Sequence, residues 1–460
     1  MAGRADARRP STTSAVGSTL RVVQTHGSIE DFYRLQHNSV GQGGFGAVFP
    51  AESLSTKAIR AVKYVPHIND TQVWKKIGAG RQHEAQIMAD LDHPNIVRLY
   101  EVFDAKTQMC LVMEMCTGGD LARRLRKTGP CPSGDMFTVM RQVFHAVSYM
   151  HARRIIHRDL KLNNLLLADD SPLSKNLVKV ADFGLSCQVE PGEILSFKGG
   201  TLRYQSPELI MGRYSFPADV WSCGVCAYAA LGGQLPFEGR TDDEVAAKVK
   251  RGNFSLSGPA WRGIPDDAKD LVRELLKYDP EERLSAQNVV QSLRTPYEPP
   301  VAKLPTARRN VQGSSLAQGV WNFVGLPMFR RVAFRALAWQ MEDPMMRERA
   351  SMFFSLDKDG DGLLSAEETC QALIAAGAPE QTVRAAKELP PLDYTDFVVM
   401  ALGEVLCLST KLYMAAFRAL DRDGDGVISA DDLAVQFPVD GKFQGVKYEE
   451  FAESVRLLHL

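Results

Sequence analysis

IIHRDLKLNN, residues 155–164, is the stretch of sequence that decides the fold, and Asp182 follows it within an ADFG sequence. Asp159 of this stretch would orient a substrate hydroxyl and accept its proton, and Lys161 would neutralise charge on a transferred phosphoryl group. Asn164 and Asp182 would offer a neutral and a charged oxygen to Mg²⁺. Together these residues predict a phosphoryl-transfer site.

A glycine-rich stretch lies upstream. Residues 41–48 fit the pattern GxGxxGxV, in which glycines allow backbone N–H groups to approach phosphate oxygens. The pattern alone is weak evidence, because glycine-rich turns are common. Lys63 ends a strand-like run after it, and Glu84, on a predicted helix, is the partner that a buried lysine needs. The predicted nucleotide-binding residues of this region are Val40, Gly41, Gln42, Gly43, Gly44, Phe45, Gly46, Val48, Lys63 and Glu84.

The order of the predicted elements indicates the fold class. Residues 31–130 mix short strand-like runs with one helical segment, and helical periodicity dominates from 133 to 295. Strands followed by helices suggest a two-lobed α+β domain. Glu208 and Arg283 are predicted to form a buried ion pair in the helical half. The one CxxC sequence, residues 223–226, lies in an apolar run without a second pair of ligands, so we expect a buried helix there.

Two acidic repeats follow, FFSLDKDGDGLLSAEE (353–368) and FRALDRDGDGVISADD (417–432). Each contains the twelve-residue EF-hand loop, with carboxylates at positions 1, 3 and 5, a glycine at 6 and an acid at 12. Acids gathered in one turn repel one another without a cation, so calcium binding is the favoured interpretation. The predicted calcium ligands are Asp357, Asp359, Asp361, Leu363 and Glu368 in the first calcium loop, and Asp421, Asp423, Asp425, Val427 and Asp432 in the second.

The two loops differ at position 12, where the first has Glu368 and the second has the shorter Asp432. EF-hands occur in pairs, and two degenerate hands supply the expected partners. Residues 392–397 and 446–451 read as the tails of these two silent hands. The first silent hand lacks acids at its ligand positions, and most of the incoming helix of the second is missing. We therefore expect each calcium loop to pair with a silent hand.

A junction separates the two parts of the chain. Residues 296–312 are proline-rich and predict a linker. A basic amphipathic helix is predicted after them, of the kind that calmodulin-like grooves bind. A helix that simply packs on the preceding domain is the alternative. The predicted apolar stripe is Met328, Phe329, Val332, Ala333, Ala336 and Leu337, with Arg330, Arg331 and Arg335 on the opposite face.

Bulk composition limits the other classes of function. The chain has 460 residues, 45% of them hydrophobic, and a formal net charge of −1, so no global basic field argues for nucleic acid or an anionic membrane. No apolar run approaches the roughly 20 residues of a spanning helix. Eight scattered cysteines fit a reducing, cytoplasmic location. The first 30 residues lack hydrophobic periodicity, and we expect them to be disordered.

At residues 31–297 the sequence resembles a eukaryotic protein kinase domain. Lys63, Glu84, Asp159, Asn164 and Asp182 are all present, whereas a pseudokinase usually lacks at least one of these positions. Lys161 and the Gly200-Thr201 pair resemble serine/threonine kinases. The resemblance makes Met113 the gatekeeper and 114–116 the hinge that reads adenine, adding Met113, Glu114 and Cys116 to the expected nucleotide-binding residues. Mild departures from the family pattern are Leu162, Asn163 and Ser206.

The order of kinase, basic helix and EF-hands resembles the calcium-dependent protein kinases. That resemblance implies a bilobal α+β kinase fold followed by an all-α EF-hand domain, with ATP, Mg²⁺ and Ca²⁺ as cofactors. The implied domains are 31–297 (kinase), 298–344 (autoinhibitory junction) and 345–460 (EF-hands). We expect a monomeric calcium-activated enzyme that phosphorylates protein Ser/Thr hydroxyls, and Asp120 suggests basic residues near the target hydroxyl. The junction is expected to inhibit the kinase at rest and to be released by the EF-hands. The alternatives are a calcium-responsive scaffold and a constitutive kinase with structural EF-hands.

Overall fold

The computed structural model of the protein describes residues 23–24, 27–43, 46–66, 83–105, 108–293, 319–341, 344–402, 410–434, 443 and 445–456. A sheet-rich lobe comes first, a helical lobe follows it, and a helical region with short paired strands closes the chain. This arrangement confirms the predicted α+β bilobal fold followed by a helical domain.

The N-terminal lobe is built on one twisted sheet with the strand order β1-β6-β7-β5-β4-β2, in which β3 also pairs with β4. The central strand β5 is buried along most of its length, including the side chains of Arg60 and Lys63. One helix of the described residues, α1 (His83–Ala89), carries Glu84 towards this sheet. The strands are β1 (Val23–Gln24), β2 (Tyr33–Leu35), β3 (Gly41–Gly43), β4 (Gly46–Ser53), β5 (Ile59–Pro66), β6 (Leu99–Asp104) and β7 (Gln108–Glu114).

The expectation of disorder over residues 1–30 is wrong at the end of that segment. Strand β1 pairs in parallel with β6, and Ile29 is buried. The edge of β6 offers unpaired backbone groups, which an extended segment satisfies by adding a strand. Residues 1–22 and 25–26 lie outside the described residues.

The C-terminal lobe is organised around two long helices, α3 (Ser133–Ala152) and α5 (Pro217–Gly232). Cys223 and Cys226 are buried free thiols in α5, as predicted for a core helix. The other elements are α2 (Leu121–Thr128), β8 (Ile155–Ile156), β9 (Leu165–Leu167), β10 (Val178–Val180), β11 (Cys187–Gln188), α4 (Pro207–Met211), α6 (Asp242–Arg251), α7 (Asp266–Leu275) and α8 (Ala286–Ser292).

The EF-hand region contains both short pairings expected between a calcium loop and a silent hand. Leu364 and Leu392 exchange two backbone hydrogen bonds, of 2.8 and 2.9 Å. The second loop pairs through β12 (Val427–Ile428) with β13 (Val446–Lys447). The helices are α9 (Met328–Gln340), α10 (Pro344–Leu356), α11 (Ala366–Ala375), α12 (Glu380–Ala386), α13 (Tyr394–Leu402), α14 (Thr410–Leu420), α15 (Ala430–Ala434) and α16 (Tyr448–Arg456).

Helix α9 of the junction lies between the EF-hand region and the N-terminal lobe. It packs on α13, α14 and α16, and its last turn meets β6 through a 3.2 Å hydrogen bond from Trp339 Nε1 to the carbonyl of Leu99. Arg60 and Arg98 donate to the carbonyls of Gln340 and Trp339 at 3.2 and 3.0 Å. These contacts lie on the lobe's outer side, and none of them involves a predicted catalytic residue.

The predicted division of α9 into an apolar stripe and a basic face is wrong in two places. Arg335 is buried, and its guanidinium contacts Asp393 and Asp396 of the first silent hand. Met328 is 54% exposed, although it was expected in the apolar stripe. Met328 is the first residue of the helix, whereas Arg335 lies in its second half. The second half of α9 is enclosed by two domains, so even its basic side must find buried partners.

Candidate active site and calcium loops

Lys63 of β5 forms the centre of the predicted phosphate site. Its Nζ lies 2.7 Å from Oε1 of Glu84 and 2.7 Å from Oδ1 of Asp182. Burial alone would lower the pKa of Lys63, but the two carboxylates outweigh it and raise the pKa above its usual value. Burial would likewise raise the pKa of Asp182, but Lys63 outweighs it and lowers the pKa. The site therefore holds a charged lysine within hydrogen-bond distance of both Glu84 and Asp182.

The glycine-rich strands lie beside this lysine. Gly41 pairs with Val48 and Val48 with Lys63, so the hairpin β3–β4 is in register with the lysine strand. A Cβ at Gly46, whose φ is +152°, would come within 2.0 Å of the carbonyl oxygen of Tyr64, so only glycine fits there. Val40 is half exposed and donates its N–H to the carbonyl of Val48. Gly44 and Phe45, predicted at the turn, lie outside the described residues, as do the side-chain surroundings of Gln42.

The catalytic loop brings the other predicted residues together. Asp159 Oδ2 accepts a 2.6 Å bond from Lys161 Nζ, and its Oδ1 accepts 2.8 Å bonds from the amide and hydroxyl of Thr201. Asn164 donates its side-chain amide to the carbonyl of Asp159 at 2.8 Å, which directs the amide oxygen away from that carbonyl. The acid is thus fixed by hydrogen bonds on both oxygens and is almost fully buried.

The predicted hinge follows β7. Met113 is buried at the end of that strand, and Cys116 is half-buried beyond it. The side chain of Glu114 turns away to form a buried ion pair with Lys179, at 2.7 Å. Lys179 could not be predicted from the sequence, because nothing in its local pattern indicates a partner 65 residues away.

Asp219 supports the catalytic loop, and a predicted ion pair is present elsewhere in the helical lobe. Asp219 of α5 accepts hydrogen bonds from the amides of His157 and Arg158, each of 2.9 Å. The predicted pair of Glu208 and Arg283 is present, at 2.6 Å. Asp219 therefore positions the catalytic loop through two backbone amides.

The segment after Asp182 bears on control by phosphorylation. Arg158 donates to the carbonyls of Leu185 and Ser186, which are neutral groups. Ser186 is fully buried, so its hydroxyl is inaccessible to a phosphorylating enzyme, whereas Ser196 is exposed. Glu190 lies 3.9 Å from Arg154 on the surface. Of the two serines between residues 183 and 200, only Ser196 is accessible.

The carboxylates of both calcium loops converge. Ligand oxygens of Asp357, Asp359 and Asp361 lie within 4.8 Å of one another, and so do those of Asp421, Asp423 and Asp432. Burial, and then the neighbouring Asp361, raise the pKa of Asp357 to about 7. Such crowded oxygens fit a hard divalent cation.

Position 12 of each loop also contacts the loop's own backbone. Glu368 accepts hydrogen bonds from the amides of Lys358 and Ser365, of 2.6 and 2.9 Å. Asp432 accepts the equivalent bonds from Arg422 and Ser429, of 2.9 and 2.7 Å. In the first loop, Glu368 is not among the three converging carboxylates. In the second loop, Asp432 is one of the three converging carboxylates and Asp425 is not. The carbonyl ligands expected from Leu363 and Val427 stay predictions.

Comparison with known proteins agrees with this geometry. The family described as protein kinase domain matches residues 34–293, and the family described as EF hand matches residues 414–437. Calcium-dependent protein kinase 3 of Plasmodium yoelii yoelii is 33% identical over 419 residues, covering 89% of this chain and 75% of the relative. Calcium-dependent protein kinase 5 of Plasmodium falciparum (isolate 3D7) is 30% identical over 421 residues, covering 90% and 72%.

These domains imply the use of ATP and Ca²⁺. No helix among the described residues is long and apolar enough to cross a membrane. The kinase lobes, the convergent calcium loops and the similarity over most of the chain lead to one conclusion: the chain belongs to the calcium-dependent protein kinase family and is a calcium-activated serine/threonine protein kinase.

Proposed function

We propose that Asp159 is the residue that accepts the proton of the substrate Ser/Thr hydroxyl, and that Lys161 neutralises charge on the transferred group. Lys63, held by Glu84, positions the phosphates of ATP. The observation that carries this assignment is the pair of 2.7 Å contacts from Lys63 to Glu84 and Asp182, because it requires both lobes to be in register.

Mg²⁺ is part of the same proposal. Asn164 and Asp182 would hold it, since one offers a neutral oxygen and the other a charged one beside the phosphate site. Bound there, the ion would neutralise charge on the phosphates. The adenine contacts are proposed at Met113, Glu114 and Cys116, and the phosphate contacts along Val40–Val48.

Removal of single catalytic groups tests this assignment. Asp159→Asn and Lys63→Met should each lower phosphoryl transfer to a peptide at least about a hundredfold, because general base and positioning effects have that size. Thermal unfolding should confirm that both variants are folded, and Lys250→Met, an exposed lysine of α6, is the control. Activity within a few fold of wild type in either variant would contradict the roles assigned.

The regulatory part of the proposal concerns the junction. Segment 305–340 inhibits the kinase at rest, and the calcium-loaded EF-hands draw helix α9 away. The buried ion pairs between Arg335 and the first silent hand support the calcium-loaded arrangement, because they give the EF-hands a buried partner on α9. A chain ending after Tyr297 should therefore have activity indifferent to calcium. A folded but inactive fragment would mean that the junction activates the kinase.

Surroundings and partners complete the proposal. Asp120 caps α2 by accepting a 2.8 Å bond from the amide of Arg123, and its charge near the cleft supports a basic substrate context. Peptides with and without arginine near the target hydroxyl would test that preference. The cysteines of the described residues are free thiols, which supports a reducing, cytoplasmic location. We further propose a monomer, which light scattering of the purified chain would check.

A further inference from the structure

The first calcium loop rests directly on the helical lobe of the kinase. A Cβ built at Gly360 would lie 2.8 Å from Cγ1 of Val290, and one at Gly362 would lie 2.2 Å from Cδ2 of Tyr149. Gln287 donates a 3.1 Å hydrogen bond to the carbonyl of Asp359. Three backbone positions of one calcium loop therefore meet α3 and α8, with no room for even a methyl group at the two glycines.

The kinase surface under this loop is held firmly. The hydroxyl of Tyr149 accepts a 2.7 Å bond from the amide of Asp92, and the guanidinium of Arg153 covers its ring at 3.9 Å. Val290 belongs to the core of the helical lobe and is fully buried. A loop that contacts such a surface is restrained by the kinase core and not by mobile surface side chains.

The rest of the first hand packs on the same face. Phe354, from the helix that leads into the loop, stacks on His145 with ring centroids 4.4 Å apart. The amide of Thr395, from the first silent hand, donates a 2.8 Å bond to Asp92. Helix, loop and silent partner thus contact the kinase together, so the loop cannot change shape without disturbing the whole contact.

The second calcium loop has a different environment. A Cβ at Gly424 or Gly426, the equivalent glycines, would meet no atom of the described residues within 4 Å. The helix that leads into this loop, α14, does contact the kinase, because its Arg418 lies 3.2 Å from Glu101 and 4.0 Å from the ring of Phe32. The loop itself is clear of the described kinase residues at both glycines.

We propose that the kinase lobe raises the calcium affinity of the first loop, and that calcium in this loop in turn strengthens the contact between hand and lobe. The first loop must gather three carboxylates and hold two glycines at positive φ, and repulsion among the acids opposes that shape. Contact with Tyr149 and Val290 stabilises it. Because coupling between two binding events is reciprocal, each event favours the other. The second loop, whose hand meets the kinase through Arg418 and not at the loop glycines, is coupled to the kinase more weakly.

This inference rests on the proposed regulation, and a matched pair of glycines tests it. Gly360 and Gly424 occupy the same loop position with φ of +74° and +75°, so alanine strains both loops alike. Only Gly360→Ala also collides with the kinase. Calcium binding to the full chain is measured by calorimetry, with the other loop silenced by Asp421→Asn or Asp357→Asn. Gly360→Ala should weaken its site about tenfold more than Gly424→Ala weakens its own.

A second variant shows whether the kinase contact causes the difference. Val290→Ala makes space for the new methyl group, so it should restore most of the affinity that Gly360→Ala loses, while leaving the second loop unchanged. Gln287→Ala, at an exposed side chain, should weaken the first site slightly, and Asn288→Ala on the same helix should not. Thermal unfolding of each variant shows that the kinase remains folded.

The outcomes separate two failures. Equal losses in the two glycine variants, with no rescue by Val290→Ala, would overturn the coupling while leaving calcium activation intact. A wild-type chain that binds no calcium, or whose kinase activity ignores it, would instead overturn the proposed regulation. Tenfold excess loss with rescue supports the inference.

Discussion

The two calcium loops have almost the same internal structure in different surroundings. In the first, Asp357 accepts bonds from the amides of Gly360 and Gly362, at 2.8 and 3.0 Å. In the second, Asp421 accepts the equivalent pair, both at 3.0 Å. Yet the first loop lies on the kinase, while the second is open at its glycines. A shared motif therefore describes how each loop binds its ion, and only its packing shows what the ion can control.

The position-12 residue gives the strongest test of this comparison. Glu368→Gln removes the charged ligand of the loop that contacts the kinase, so it should abolish most calcium activation. Asp432→Asn removes the equivalent charge from the other loop and should leave most of it. The measurement is peptide phosphorylation across a calcium titration. Equal losses in the two variants would mean that packing on the kinase does not distinguish the loops.

Loss of the ion pairs between Arg335 of α9 and the first silent hand should have the next largest effect, since that hand pairs with the first calcium loop. Arg335→Met leaves Asp393 and Asp396 buried without their partner, and breaking a buried pair costs about 3–5 kcal/mol. We expect several-fold weaker maximal activation by calcium and a lower melting temperature. Arg331→Met is the control, because Arg331 donates to backbone carbonyls of the junction itself. An unchanged ratio of the rates with and without calcium in Arg335→Met would argue against a regulatory role of these ion pairs.

A smaller effect should come from lengthening the acid of the second loop. Asp432→Glu restores the side chain that reaches a calcium ion with both oxygens, which should tighten that site about tenfold, or about 1.4 kcal/mol. The midpoint of activation should move to lower calcium while the maximal rate stays constant. Glu368→Asp in the first loop is the converse change and should move the midpoint upwards. A fixed midpoint in Asp432→Glu, at constant Mg²⁺, would show that the second loop does not influence the kinase.

Motif spacing was enough to predict which residues lie together at the candidate active site. Lys63, Glu84, Asp159 and Asp182 lie far apart in the sequence, but each belongs to a pattern whose chemistry requires the others, and the structure brings them together. The pairing of calcium loops with silent hands could also be predicted from the sequence. The first silent hand lacks acids at its ligand positions, but its tail at Leu392 keeps the apolar pattern of an EF-hand.

Contacts between domains could not be predicted in this way. Arg335 reads as a surface residue of an amphipathic helix, and only enclosure by two domains makes it buried. The positive φ of Gly360 already explains why this position is glycine. The sequence therefore gives no sign of the second constraint, which is the proximity of Val290. Val23 and Gln24 form a strand because β6 has a free edge, a property of the folded sheet and not of their own sequence.

The central claim is that calcium switches this kinase on through its EF-hands. The most direct measurement is the rate at which the full chain phosphorylates a Ser/Thr peptide with ATP and Mg²⁺, in free calcium and in chelator, with the chain ending after Tyr297 in parallel. We predict at least a tenfold higher rate of the full chain in calcium, and equal rates of the shortened chain in both conditions. Equal rates of the full chain with calcium and with chelator would contradict the account.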